Sequence, residues 1–225
     1  AHQEKECRIL NLDLIEMINE SEFQPEFFWE EIVVEEESIV FVVDISGSMG
    51  AQGISYTHPI SGQTMIGSRL DRAKSEMIRT IMALPTYWKF NMTKYECTVG
   101  AFRPTTVEAT DGNKLLARDW IMLLRPMGGT NTSDGCIRGL ECDRENELLV
   151  LLTDGAPNCN CPWNYPNGGD PWLNCVLWHQ ARIISANTQG AVINTFGIGV
   201  YGGYYEQFLM NLAMQTGGTY TSISM

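Results

Sequence analysis

Three short runs of nearly continuous apolar, β-rich residues constrain the fold of this chain more than any other feature of its sequence. They are Ile39 to Val43, Leu148 to Leu152 and Ala191 to Ile198. A strand covered by helices on both faces is buried on both sides, so its sequence lacks the alternation typical of a half-exposed strand. The three runs therefore predict strands of a mostly parallel sheet.

Segments with a helical pattern separate these runs. In the clearest, Ser68 to Leu84, Ser68 and Asp71 form a capping pair, apolar residues recur at spacings of three and four, and Pro85 follows the last turn. Strands that alternate with helices predict an α/β fold that is Rossmann-like and doubly wound, with helices on both faces of the sheet. Further helices are predicted at residues 113–124, 132–140, 172–188 and 204–215.

The length and charge of the chain limit its organisation and its partners. We expect one domain over residues 37–225, preceded by an acidic extension over residues 1–36. With 15 basic and 27 acidic residues the formal net charge is -12, so nucleic acid is not an expected partner. No apolar run reaches the roughly 20 residues that a membrane span needs, and we expect no membrane insertion.

Hydroxyl and carboxylate side chains follow two of the predicted strands. Asp44 comes directly after the first run, with Ser46 and Ser48 at steps of two, and Asp154 comes just after the second run. Thr130 lies in a Gly-Gly-Thr segment. Ligands of open parallel sheets bind beyond the carboxyl ends of the strands, so we expect these oxygens to converge. A set without thiolate or imidazole predicts a hard cation, Mg²⁺, with Mn²⁺ or Ca²⁺ as alternatives.

In their order along the chain, these residues resemble the metal-ion-dependent adhesion site of the von Willebrand factor A domain family. The likeness covers most of the chain and includes the segments "FGIGV" and "GGTY" near its end. It implies that Ser46 and Ser48 bind Mg²⁺ directly, and that Asp44, Thr130 and Asp154 bind it directly or through water. It also implies that a carboxylate of a partner protein completes the coordination.

Two segments depart from the family pattern. Family members commonly enter the first helix soon after the serine turn, but here an insert over residues 51–67 intervenes. A second insert, over residues 157–172, contains Trp163 and Trp172. We expect both at the rim of the metal site. The first is either part of the partner-binding face or a plain surface loop, and the tryptophans of the second either pack that loop down or offer a contact surface.

The cysteines indicate an oxidising compartment, which is extracellular or the cell surface, with the cytoplasm as the alternative. The chain has seven cysteines, and we expect Cys175 to form a disulfide with Cys159 or Cys161. The alternative is a zinc site that adds His179 to these three.

Two other cysteines, Cys136 and Cys142, flank a predicted helix. They would be able to pair if that helix ended near Gly139. Cys7 and Cys97 have no assigned partner.

Two classes of function are consistent with these features. The first is a secreted or surface adhesion module that binds a protein through the metal. The alternative is an intracellular assembly factor that works with a ring-shaped ATPase or a metal-inserting complex. We expect no enzyme, because the chain has no phosphate-loop motif and its three histidines show no spacing typical of a catalytic triad.

Overall fold

The computed structural model describes residues 23–31, 37–145, 148–162, 169–200 and 202–224. In chain order the strands are β1 (Glu26–Phe27), β2 (Glu30–Glu31), β3 (Ser38–Asp44), β4 (Gln52–Thr57), β5 (Thr64–Ser68), β6 (Lys89–Tyr95), β7 (Val99–Ala101), β8 (Val107–Glu108), β9 (Leu148–Thr153), β10 (Val192–Ile198) and β11 (Tyr220–Ile223). The helices are α1 (Arg69–Ala83), α2 (Asp111–Leu123), α3 (Thr132–Cys142), α4 (Pro171–Ala186) and α5 (Gly203–Gln215).

A seven-stranded sheet in the order β11-β10-β9-β3-β6-β7, with β8 also paired to β6, forms the centre of the fold. The neighbours from β11 to β6 are parallel, and β7 and β8 are antiparallel to β6. The three apolar runs form β3, β9 and β10, as predicted. The strand order reverses between β3 and β9, so the carboxyl ends of these two strands border the topological switch point where open α/β sheets bind ligands.

Helices cover both faces of the sheet. Successive residues of β3 point to opposite faces: Phe41 belongs to one buried cluster with Met77 of α1. Val42 belongs to a second cluster with Leu140 of α3 and Phe208 of α5. The predicted doubly wound fold is therefore confirmed.

The first helix has the ends that its sequence predicts. The Ser68 hydroxyl accepts a hydrogen bond from the Asp71 amide at 3.0 Å, and the Asp71 carboxylate accepts one from the Ser68 amide at 2.9 Å. This capping box starts α1 at Arg69, and Leu84 caps its other end. Helix α1 therefore begins directly after the predicted insert, whose second strand ends at Ser68.

The described part of the N-terminal segment adds to the core. Strands β1 and β2 form a separate antiparallel hairpin. In it, Phe27 is fully buried, with its ring centroid 5.4 Å from that of Phe41 and 4.9 Å from that of Phe196. The rest of the predicted extension, residues 1–22 and 32–36, lies outside the described residues. The domain boundary at residue 36 remains a prediction.

The first predicted insert forms the two-stranded hairpin β4–β5, whose strands pair from Gln52 with Ser68 to Thr57 with Thr64. In the second insert, Trp163 lies outside the described residues and Trp172 is about half exposed near the start of α4. A role of either insert in binding a partner remains a prediction.

Two disulfides tie the second insert to the domain. Cys161 bonds to Cys175, with Cα atoms 5.0 Å apart, which confirms one of the two expected pairings. Cys159 bonds to Cys97, with Cα atoms 5.5 Å apart. The alternative of a four-residue zinc site is therefore wrong, because its three thiols are all used in disulfides. Cys7 lies outside the described residues.

His179, in α4, is a structural residue that contacts the same loop. Its Nδ1 accepts a hydrogen bond from the Ser133 amide at 3.1 Å, so the proton is on Nε2, which lies 3.1 Å from the Cys159 carbonyl oxygen and donates to it. Both ring nitrogens are thus engaged, and neither offers a lone pair to zinc. Burial lowers the pKa of this histidine to about 4.

The condition under which Cys136 and Cys142 would be able to pair is not met, and they do not pair. Both thiols are free and buried. Helix α3 does not end near Gly139 but continues to Cys142. Six residues along a helix correspond to about 9 Å of rise and about 120° of net rotation, so the two side chains cannot meet.

Within the described ranges, no helix combines the length and the apolar character needed to cross a membrane.

Acid should destabilise the fold through His179. Its pKa is 6.5 in an unperturbed state and about 4 in the folded chain, so between these values the unfolded chain binds a proton that the folded chain does not. The folded state should therefore lose about 3 kcal/mol from this group as the pH falls from neutral to 4. Urea denaturation of the wild type and of His179→Gln, compared over this pH range, isolates the effect. A difference in stability that does not change with pH would contradict it.

The close packing of α3 on the sheet should be sensitive to one methyl group. A Cβ atom at Gly135 would lie 2.5 Å from Cδ1 of the buried Tyr95 ring, so Gly135→Ala should lower the free energy of unfolding by about 1–3 kcal/mol. Gly112→Ala in α2 is the control, because no atom lies within 4 Å of the new Cβ. It should be neutral or stabilising by chemical denaturation. Equal effects of the two variants would show that this contact is not tight.

Candidate metal centre

Asp44, the last residue of β3, is fully buried at the edge of the sheet. Its Oδ1 accepts a hydrogen bond from the Ser46 amide at 2.7 Å, and its Oδ2 accepts one from the Thr153 hydroxyl at 2.6 Å. The first bond curls the chain back over the end of β3, and the second ties β3 to the end of β9. Asp44 thus holds together the two segments that carry the other acidic and hydroxyl groups.

The two serines lie on the turn that follows. Residues Gly47–Gly50 form a 3₁₀ turn, with the Oγ atoms of Ser46 and Ser48 3.0 Å apart. The Ser48 hydroxyl donates to Oδ1 of Asp154 at 2.8 Å. Four of the five predicted side chains, Asp44, Ser46, Ser48 and Asp154, are therefore brought together as the sequence predicts.

Thr130 reaches the same edge through its backbone. The Gly47 amide donates to the Gly128 carbonyl at 3.0 Å, which places the Thr130 loop against the serine turn. The Thr130 amide donates to Oδ1 of Asn158 at 2.9 Å, and its carbonyl accepts from the Asn158 amide at 2.8 Å. These contacts position Thr130, whereas a bond from its hydroxyl to a metal remains a prediction.

The two glycines before Thr130 are required by this packing. Gly128 has a φ of 65°, which lies in the left-handed region. A Cβ atom on Gly129 would lie 2.6 Å from Oδ1 of Asn158 and 2.7 Å from Sγ of Cys159. The disulfide between Cys97 and Cys159 thus covers this loop, a feature that the sequence did not assign.

The site concentrates negative charge. Burial, together with the nearby charge of Asp154, raises the pKa of Asp44 to about 7, although hydrogen bonds from Thr153 and Ser46 act in the opposite direction. A buried carboxylate with a raised pKa is one that an adjacent cation would stabilise.

Sequence reasoning missed one residue of this site, Arg69. Its Nη1 lies 2.6 Å from Oδ2 of Asp154, and its side chain is only 16% exposed. The sequence carried a weak signal for it, because a basic residue in the first turn of a helix opposes the helix dipole and needs a compensating partner.

The residues present fit a hard divalent cation. Their donor atoms are hydroxyl and carboxylate oxygens, which suit Mg²⁺, Mn²⁺ or Ca²⁺. The buried carboxylates need positive charge, and Ser48 is exposed to solvent, so one side of the cluster is accessible. Ser46 and Ser48 would supply hydroxyl oxygens, and Asp44 and Asp154 would supply the negative charge.

Comparison with known proteins identifies distant relatives. No family model matches the chain. Human inter-alpha-trypsin inhibitor heavy chain H4 is 24% identical over 196 residues, which is 81% of this chain and 18% of that protein. Mouse inter alpha-trypsin inhibitor, heavy chain 4, is 24% identical over 151 residues, 62% of this chain and 14% of that protein. The chain spans less than a fifth of the length of these two relatives.

Solved structures agree with the observed architecture. A von Willebrand factor type A structure from Catenulispora acidiphila has a TM-score of 0.61 at 19% identity, covering 83% of this chain and 38% of that one. The PilB minor pilin from Streptococcus sanguinis has a TM-score of 0.54 at 19% identity, covering 86% and 59%. With the sheet order described above, these likenesses confirm the fold that the resemblance implies: this chain folds as a von Willebrand factor A domain.

Proposed function

We propose that this chain is a protein-interaction domain that binds a divalent cation and, through that cation, a carboxylate of a partner protein. Mg²⁺ is the cation that we propose first. The observation that carries the proposal is the hydrogen-bonded series Ser46, Ser48 and Asp154 beside the buried Asp44 at the switch point of the sheet. Protein interaction is the general role that the von Willebrand factor A fold supports.

Each side chain has a separate task. The Ser48 proton points to Asp154, so the Ser46 hydroxyl donates to Ser48 and one lone pair of Ser48 is left to face a cation. Asp44 already accepts two hydrogen bonds, so it holds the turn in shape and contributes charge. A bound cation would supply the positive charge that attracts a carboxylate from the open, solvent-facing side.

The disulfides favour the secreted or surface alternative. Disulfides persist in oxidising compartments and are rare in the cytosol, and the described residues contain two. This weighs against an intracellular assembly factor. We therefore propose an extracellular or cell-surface binding module with no catalytic role.

Removing one hydroxyl should weaken the metal site without unfolding the domain. Ser48→Ala removes a proposed ligand from an exposed turn position, so Mg²⁺ affinity should fall at least about tenfold, the loss of roughly 1.4 kcal/mol or more. Calorimetric titration with Mg²⁺ measures this. Ser61→Ala, an exposed serine in the loop between β4 and β5, should bind as the wild type does. Equal Mg²⁺ affinity of wild type and Ser48→Ala would show that the ligand is misplaced.

Partner binding should depend on the same hydroxyl. We expect immobilised wild-type domain to retain a protein from extracellular material in Mg²⁺ and to lose it in a chelator. Ser48→Ala should fail to retain that protein even in Mg²⁺, because the cation that contacts the partner is no longer held. Retention of the same protein under all three conditions would contradict a metal-bridged contact.

A further inference from the structure

Arg69 places a positive charge directly on the candidate metal site. Its Nη1 lies 2.6 Å from Oδ2 of Asp154, while Ser48 donates to the other oxygen of the same carboxylate at 2.8 Å. The Asp154 side chain is fully buried in this arrangement. Both of its oxygens are therefore engaged by groups of the protein itself.

The inserted hairpin delivers Arg69 to this position. Strands β4 and β5 leave from the end of the serine turn and return to it, and the Arg69 amide donates to the Ala51 carbonyl at 3.0 Å. The capping box at Ser68 then starts α1 so that Arg69 is its first residue. The base of the insert thus fixes the guanidinium beside the turn that carries Ser48.

The position of this arginine is unfavourable for the helix alone. A cation in the first turn of a helix is repelled by the positive end of the helix dipole. Arg72, one turn further on, points elsewhere: its Nη1 donates to the Ser224 carbonyl at 2.6 Å, and its guanidinium lies 5.5 Å from the Phe28 ring centroid. The contact with the Asp154 carboxylate offsets the repulsion between the Arg69 charge and the helix dipole.

We propose that Arg69 is an internal counter-cation that competes with the divalent cation for Asp154 and lowers the affinity of the site for metal alone. This inference rests on the proposed function and deepens it. Two positive groups close to one carboxylate repel each other, and the repulsion is stronger than at an exposed surface because the Asp154 side chain is fully buried and that of Arg69 is only 16% exposed. The metal must therefore displace the guanidinium from Asp154 or bind beside it at reduced affinity.

The charges of the metal-bound site favour an acidic partner. With a divalent ion bound, two positive charges from the ion and one from Arg69 face one negative charge each from Asp44 and Asp154. The occupied site then carries an excess positive charge, which a carboxylate of the partner neutralises. Arg69 thus disfavours the metal alone and favours metal and acidic partner together.

The test is a calorimetric titration of four proteins with Mg²⁺ alone. Arg69→Gln should bind Mg²⁺ at least about tenfold more tightly than the wild type, since one nearby positive charge is gone. Arg69→Lys keeps the charge and should remain within about threefold of the wild type, and Arg72→Gln, the same charge change on the same helix, should remain within about twofold. The metal-free Arg69→Gln protein should melt at a lower temperature than the wild type, and Mg²⁺ should raise its melting temperature more.

Several results would overturn the inference. Equal or weaker Mg²⁺ binding by Arg69→Gln would show that Arg69 supports the site rather than opposing the cation. An equal gain in Arg72→Gln would reduce the effect to overall charge, and an equal gain in Arg69→Lys would show that charge is not the cause. If none of the four proteins binds Mg²⁺ or Mn²⁺, the proposed function fails as well. Binding by the wild type without the Arg69→Gln gain removes this inference alone.

Discussion

The parallel pairing of β3 with β6 on one side and β9 on the other is the constraint on which the rest of the structure depends. Because β3 pairs with β9 in register from Val40 to Val43, Asp44 and Asp154 emerge at the same edge of the sheet. Neighbouring strands lie about 4.8 Å apart, so short side chains bridge the gap, as the Thr153 bond to Asp44 shows. The candidate site follows from the sheet before any loop is considered.

This arrangement buries two carboxylates near each other, which is electrostatically unfavourable unless other groups of the protein stabilise them. Burial raises the pKa of Asp44 to about 7, and the nearby charge of Asp154 adds to this shift. Hydrogen bonds from Ser46, Ser48 and Thr153 and the guanidinium of Arg69 stabilise the two carboxylates. A buried carboxylate whose pKa is raised is one that a nearby cation would stabilise in its charged form.

The loop that carries Cys159 and Cys161 contributes rigidity to the site through its disulfides. The bond between Cys97 and Cys159 lies over Gly129, and Asn158 in the same loop contacts both the amide and the carbonyl of Thr130. His179 fixes the loop from the other side through two hydrogen bonds. The cysteines and the histidine that suggested a zinc site are thus engaged in disulfides and hydrogen bonds. These bonds hold the loop that positions Thr130.

Local patterns in the sequence determined the buried strands, the capping box of α1 and the oxygen residues that end β3 and β9, since each depends on neighbours within a few positions. Only the tertiary structure decided the contact of Arg69 with Asp154, 85 residues away, and the pairing of Cys97 with Cys159, 62 residues away. It also decided that α3 continues through Cys142. The physical reason is that long-range partners are chosen by where the sheet brings chain segments together, and spacing along the chain does not record that geometry.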